Sequence, residues 1–127
     1  MTTLKTLTLA AVGGILFAGS AFAEPPTGTH DSSLGTVLTD GDGMTLYAFK
    51  MDTATKSNCN GMCADNWPPL MAAEGDSATG DYTILTRDDG SMQWAYKGMP
   101  LYGWVKDSKP GDVTGHGFKD AWKAVQP

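Results

Sequence analysis

Two cysteines, two histidines, and a set of aspartates and methionines are the side chains whose types and spacing could do chemistry in this 127-residue sequence. Cys59-Asn-Gly-Met-Cys63 is an even pair spaced i,i+4. On a helical turn the two Cα atoms would lie about 6 Å apart, inside the range a disulfide tolerates. Closing so short a loop would stabilise the fold by about 2 kcal/mol. A redox pair is usually CxxC, and a closed zinc site needs two further ligands that the local sequence does not supply. A structural disulfide is therefore the expected state of Cys59 and Cys63.

Three other chemistries have candidates. Met44, Met51, Met62, Met71, Met92 and Met99 offer thioethers, soft ligands for Cu(I) that His116 and the thiols could join. They form no MxM or MxxM cluster, which favours packing roles. The loop from Asp107 to Gly117 sets Asp107 and Asp112 among Gly111, Gly115 and Gly117, the oxygen-rich, glycine-rich composition of a calcium loop. It lacks the DxDxDG spacing and the terminal Glu, and Asx-type turns account for the same residues. Asp52 and Asp107 could be paired as the acid and base of a small hydrolase. No GxSxG, HExxH or phosphate-binding loop is present, and His30 and His116 are the sole histidines, so general-base chemistry is thinly supplied. His30 lies in a polar segment where solvation is its ordinary state. No catalytic residue is assigned, and no cofactor is expected beyond the copper and calcium alternatives.

The elements that position these residues come in two copies. GMTLYAFKMD at Gly43–Asp52 recurs as GMPLYGWVKD at Gly98–Asp107, and Trp67 recurs as Trp122, at a constant offset of 55 residues. Tyr47, Phe49, Asp52 and Trp67 thus match Tyr102, Trp104, Asp107 and Trp122. Such self-similarity means one supersecondary unit used twice. Because Asp52 and Asp107 are repeat-equivalent, turn-capping roles are favoured over an acid–base pair. The aromatics two positions apart on a strand share a face, so each unit brings an aromatic pair either to a shared core or to a cleft that binds a ligand or glycan.

Alternating β-prone runs at Leu34–Thr39 and Met44–Phe49 flank the turn Asp40-Gly-Asp-Gly, and Tyr82–Arg87 and Met92–Tyr96 flank Asp88-Asp-Gly. Cys59–Asn66 fits a short helical turn ended by Pro68-Pro69. The expected fold is mostly β: one small domain over 34–127, built of two tandem hairpin-based repeats, about 34–71 and 82–127, in a pseudo-twofold relation. One or two short helical turns complete it. Residues 72–81 read as a linker, and residues 24–33 (EPPTGTHDSS) as a flexible lead-in.

Residues 1–23 have the parts of a secretory signal: Lys5, an apolar run from Leu7 to Phe17, and Ala21-Phe22-Ala23 as cleavage site. Export would place the cysteines where disulfides persist. No Cys follows the cleavage site, so no lipid anchor or transmembrane segment is expected in the mature chain. The net charge is -5 and every acidic residue lies after residue 23. Phosphate backbones would repel such a surface, which argues against nucleic acid as a partner.

Tyr47-Ala-Phe-Lys-Met-Asp52 and Tyr102-Gly-Trp-Val-Lys-Asp107 fit the pattern Y-x-[FWY]-x-x-D. With Cys63-Ala64, Trp67-Pro-Pro-Leu70, Arg87-Asp-Asp-Gly90, Gln93-Trp-Ala-Tyr96, Gly111-Asp112 and Trp122, the chain resembles the predicted bacterial lipoproteins known as the secreted repeat of unknown function. The resemblance covers roughly Leu34 to Val125. It implies an exported, periplasmic or secreted bacterial protein made of this tandem repeat, and it implies no reaction. Many relatives look like lipoproteins, whereas the acylated Cys is missing here, so membrane attachment is not carried over. The functional expectation is a non-catalytic module that binds a ligand or envelope component, with a periplasmic copper carrier and a small hydrolase as alternatives.

Overall fold

The computed structural model describes residues 25–127. The expected signal segment 1–23 lies outside them. Seven strands follow in order: β1 (Thr27–Ser32), β2 (Gly35–Asp40), β3 (Tyr47–Phe49), β4 (Tyr82–Thr86), β5 (Met92–Tyr96), β6 (Met99–Pro100) and β7 (Trp122–Ala124). Among the described residues one short helix, α1 (Met62–Asn66), follows β3, and one 3-10 turn, Phe118–Asp120, precedes β7. The fold is mostly β, as expected. Among the described residues no helix is long and apolar enough to cross a membrane.

Each half begins with an antiparallel hairpin, β1 with β2 and β4 with β5. Here the structure corrects the lead-in: Thr27–Ser32, inside the segment expected to be flexible, is a strand in full register with β2, from Thr27 opposite Asp40 to Ser32 opposite Gly35. The ladder supplies the order, because β1 has no apolar face; its four central residues are exposed. Its counterpart β4 carries Ile84 and Leu85, with Leu85 buried, so the copies share backbone geometry where their side chains have diverged. The hairpin turns sit at Gly35 (φ 95) and Gly90 (φ 88), again 55 residues apart and both in the left-handed region that glycine adopts freely.

The remaining strands are exchanged between the halves. The expected hairpin of Leu34–Thr39 with Met44–Phe49 forms at its turn, where Asp40 N–H donates to Met44 C=O and Leu46 N–H to Leu38 C=O. Strand β3 itself pairs antiparallel with β7, the last strand of the other half. Leu38 N–H donates to Val125 C=O, and Val125 N–H to Leu46 C=O; in the mirror arrangement Trp94 N–H donates to Leu70 C=O, and Leu70 N–H to Leu101 C=O. Each half is therefore completed by the tail of its partner half. At the centre Tyr47 and Tyr102 exchange backbone hydrogen bonds, N–H to C=O, at 2.7 and 3.0 Å.

Alternation along these strands divides the interior in two. Val37, Tyr47, Tyr102, Trp122 and Ala124 face one core with Trp67 and Cys59. Their chain neighbours Leu38, Leu46, Ala48, Leu101 and Val125 face the other, around Trp94. The first core is aromatic and holds the repeat motif.

Candidate functional site

The repeat motif is a reciprocal clasp. Tyr47 O–H donates to Asp107 Oδ2 at 2.6 Å, and Tyr102 O–H donates to Asp52 Oδ2 at 2.5 Å. Tyrosine and aspartate of one copy thus cannot pair with each other; each takes its partner from the other copy. Asp107 Oδ1 accepts from Thr114 N–H and Oγ1–H, Asp52 Oδ1 accepts from Asn58 N–H, and Gly115 N–H donates to the Tyr47 hydroxyl. Burial raises the Tyr47 phenol, and the bond to Asp107 raises it further. Tyr102 is pushed up to about 12 by burial and then by Asp52. Burial also lifts the Asp52 carboxyl above the ordinary aspartate value, against the pull of Tyr102, Asn58 and the Arg87 charge.

Between the clasps lies a four-ring stack. Phe49 lies on Trp122 (centroids 4.4 Å apart), Trp122 on Trp67 (3.8 Å), and Trp67 on Trp104 (3.9 Å). Tyr47 meets Trp67 edge-on at 5.3 Å and Tyr102 meets Trp122 edge-on at 5.1 Å, so the pseudo-dyad passes between Trp67 and Trp122. Each of the two edge-on contacts adds about 0.5–1.5 kcal/mol beyond area burial. Gly115 touches the stack so closely that a Cβ there would lie 2.7 Å from Trp67 Cη2. Trp67 and Trp122 are buried, while Phe49 and Trp104 reach the surface at the two ends. The motif aromatics form a core with two exposed ends and no cleft of bare rings between the units.

Cys59 and Cys63 are joined by a disulfide, with Cα atoms 5.2 Å apart, and both pack on this core. Arg87, at the turn end of the β4–β5 hairpin, anchors the disulfide loop. Its guanidinium is buried and donates to Cys59 C=O at 2.6 Å, Gln93 Oε1 at 2.7 Å and Ser57 Oγ at 2.9 Å. Ser57 in turn lies 2.6 Å from the Tyr102 hydroxyl, whose own proton goes to Asp52, so Ser57 is the donor. A relay Arg87, Ser57, Tyr102, Asp52 results. The sequence holds a signal for this: Arg87 alternates with the apolar Leu85 at the end of the β-prone run, one residue past the end of β4.

Each end of the stack opens into a groove. The larger, about 470 Å³, is lined by Phe49, Trp122, Ala48, Met99 and Ala121, with Lys50, Lys123, Asp52, His116 and Asp120 as polar walls. The smaller, about 230 Å³, is lined by Trp104, Gly103, Val105, Met44, Leu46, Leu70, Pro68 and Pro69, with Asp40. Five lining positions correspond at the 55-residue offset: Phe49 with Trp104, Ala48 with Gly103, Lys50 with Val105, Met99 with Met44 and Lys123 with Pro68. Beside the larger groove Lys119 and Asp120 hold φ of 51 and 58, left-handed values that cost free energy in non-glycine residues.

The other sequence candidates are dispersed. Asp112 accepts from Ser108 N–H and Oγ, Lys109 N–H and Lys109 Nζ, which together hold its carboxyl well below the ordinary aspartate range. Its oxygens serve turn and lysine donors, as Asx-type turns require. His116 Nδ1 accepts the Ala124 N–H at 3.1 Å, so in the neutral ring the proton sits on Nε2. A metal at Nε2 would need the opposite tautomer. His30 is exposed on β1 and donates through Nδ1 to Asp31 C=O. Among the described residues no group of three or more His, Cys, Asp or Glu side chains converges on a common point. Asp52 and Asp107 are held by different tyrosines, and only Asp52 lines the larger groove.

The model of the secreted repeat of unknown function matches residues 28–71 and 83–126, more than half of the chain. The chain belongs to that family. Its two matched copies start 55 residues apart, and the first begins within β1, in keeping with the pairing of β1 and β4 as equivalent strands. Membership makes it an exported repeat protein. No curated protein and no solved structure gives a significant match to the chain.

Proposed function

We propose that this secreted-repeat protein is a binding module of the periplasm or the extracellular space, and that its ligand site is the larger groove. One observation carries the reading: two grooves share one frame, and charge is concentrated in one of them. Lys50 stands where the other copy has Val105, and Lys123 where it has Pro68. The fold therefore does not need either lysine, since the equivalent positions are occupied by apolar residues. Charges gathered where the scaffold is indifferent to them are explained by what they meet from outside.

The chemistry of the walls suggests the ligand. Lys50, Lys123 and the Nε2–H of His116 are donors suited to a carboxylate; Asp120 and the free lone pairs of Asp52 accept from hydroxyls; Phe49 and Met99 offer an apolar floor. A volume of about 470 Å³ suits a small molecule. An acidic saccharide of the envelope combines these features. Nuclear magnetic resonance titration of the full mature chain with a uronic-acid oligosaccharide, beside a neutral one of equal length, tests this. Shifts at the His116 ring and Trp122 indole are expected with the acidic sugar, and Lys50→Val, copying Val105, should abolish them. Equal shifts in Lys50→Val, or none in the unaltered protein, would sink the reading.

A further inference from the structure

The tryptophan stack has a geometry that core packing alone does not demand. Trp104, Trp67 and Trp122 lie face to face at 3.9 and 3.8 Å, in van der Waals contact, with interplanar angles of 21° and 2°. Aromatic pairs more often settle offset or edge-on. Trp104 is the most exposed of the three; Trp67 and Trp122 are buried, with an edge of Trp122 lining the larger groove. Phe49, a ring far harder to oxidise than an indole, closes the other end. Edge-on to the two inner indoles stand Tyr47 and Tyr102, each with its phenol proton already aimed at a carboxylate oxygen 2.6 or 2.5 Å away.

We propose that this assembly is a route for one-electron oxidation, entering at Trp104 and ending on Tyr47 or Tyr102, so that the protein can intercept radical oxidants in the oxidising space it is exported to. A radical oxidant takes one electron from Trp104 and is reduced. The electron is replaced from Trp67, and for the Tyr102 branch from Trp122 as well. The indole radical cation next to the tyrosine takes an electron from the phenol, whose proton passes to Asp107 Oδ2 or Asp52 Oδ2. The products are a neutral tyrosyl radical and a neutral carboxylic acid, with every indole restored. Giving up the proton in the same step avoids the costly phenol radical cation, and this is what the two hydrogen bonds contribute. Charge-assisted bonds of this length also hold the phenol in place for the transfer. The inference uses the stack and the clasps, and it stands apart from the ligand reading of the larger groove.

Flash-quench oxidation of the mature protein with photogenerated ruthenium(III) tris-bipyridine tests it, followed by transient absorption of the tryptophanyl and tyrosyl bands. The expected result is a tryptophanyl signal that converts to a tyrosyl signal, with conversion slowed in D2O because a proton moves. Tyr47→Phe/Tyr102→Phe should lose the tyrosyl signal and leave the tryptophanyl one, and Trp104→Phe should lose rapid oxidation. Should the double variant fail to fold, the isotope effect in the unaltered protein decides. A persistent tryptophanyl signal there, conversion at equal rates in H2O and D2O, or a tyrosyl signal surviving in a folded double variant, would overturn the proposal.

Discussion

Replacing Tyr47 by Phe removes one oxygen and should cost more than the same change at Tyr102. The Tyr47 hydroxyl donates to Asp107, a buried carboxylate, and accepts the Gly115 N–H, itself buried. Loss of a hydrogen bond to a charged acceptor costs about 1.5–3 kcal/mol, and an orphaned buried N–H adds about 1–3 kcal/mol when nothing relaxes. Thr114 keeps two bonds to Asp107, so the terms overlap, and about 3 kcal/mol is the expected total. Tyr102 has Asp52 as its partner, and Asp52 lines the open groove, where water can replace the phenol. Ser57, the donor to the Tyr102 hydroxyl, keeps the bond it accepts from Arg87 and can turn its own proton to Cys59 C=O, 3.5 Å away. The cost of Tyr102→Phe should therefore be about 1–1.5 kcal/mol. In urea, with m of about 1.5 kcal/mol per M, the midpoints should fall by about 2 M and about 1 M, at unchanged m. A double-mutant cycle of Tyr47→Phe with Asp107→Asn should return a coupling of about 2 kcal/mol. If Tyr102→Phe proves the costlier change, or the coupling is near zero, then the clasp is not what holds the halves together and the burial argument is wrong.

Four further outcomes are expected. The folded chain holds the Tyr102 and Tyr47 protons more tightly than the unfolded chain, whose phenols titrate near 10; stability should be complete below that pH and decline as pH rises toward about 12, with phenolate absorbance appearing together with loss of circular dichroism. Gly115→Ala would push a methyl group to 2.7 Å from Trp67 and 3.0 Å from Trp104 Cδ1, an overpacking cost of about 1–3 kcal/mol that should appear as a lower melting temperature and an altered near-ultraviolet tryptophan spectrum. Arg87→Met keeps the length of the side chain but leaves Cys59 C=O and Gln93 Oε1 unpaired; a loss of about 3 kcal/mol in urea unfolding is expected, with faster reduction of the Cys59–Cys63 disulfide by dithiothreitol as the specific sign that its loop has come loose. A fragment ending at Met71 should show no cooperative unfolding alone and recover it when mixed with a fragment starting at Gly80, because β3 pairs with β7 and Leu70 pairs with Leu101.

Local pattern made the second hairpin legible, because Ile84, Leu85 and the Asp-Gly turn carry the signal within a few residues. The first hairpin was half hidden: β1 is polar along its exposed length, and its order comes from the β2 ladder, which leaves no mark in its own side chains. The offset of 55 residues showed that two copies exist but not that they exchange strands, since a hydrogen bond from Leu38 to Val125 leaves no trace in the spacing of either. The same limit governed the site. Tyr47, Asp52, Tyr102 and Asp107 were legible as a pattern, and a turn-capping role was a fair reading of each Asp taken singly. The partners lie 60 and 50 residues apart, in opposite copies, and only the fold brings them together. The two grooves depended on strand exchange as well, so Lys50 and Lys123 stood out only once Val105 and Pro68 were seen in the equivalent places.

The clasp also gives a physical reason for the spacing within Y-x-[FWY]-x-x-D. Tyrosine and the aromatic two residues on share a face of the strand. The first reaches the inner indole of its own copy edge-on, and the second lies flat on the inner indole of the other copy: Tyr47 on Trp67 with Phe49 on Trp122, Tyr102 on Trp122 with Trp104 on Trp67. Three residues later the strand has ended, and the aspartate turns back toward the dyad, where the nearest phenol belongs to the opposite copy. A lone copy would leave a phenol and a carboxylate without partners and a strand unpaired, a cost on the scale of the whole stability of a domain this small. Two copies satisfy one another, and with the frame secured by the clasps and the stack, the positions around the rim are released from structural duty. Val105 and Pro68 fill two such positions in one copy and Lys50 and Lys123 the equivalent ones in the other, and the proposed ligand site rests on that asymmetry.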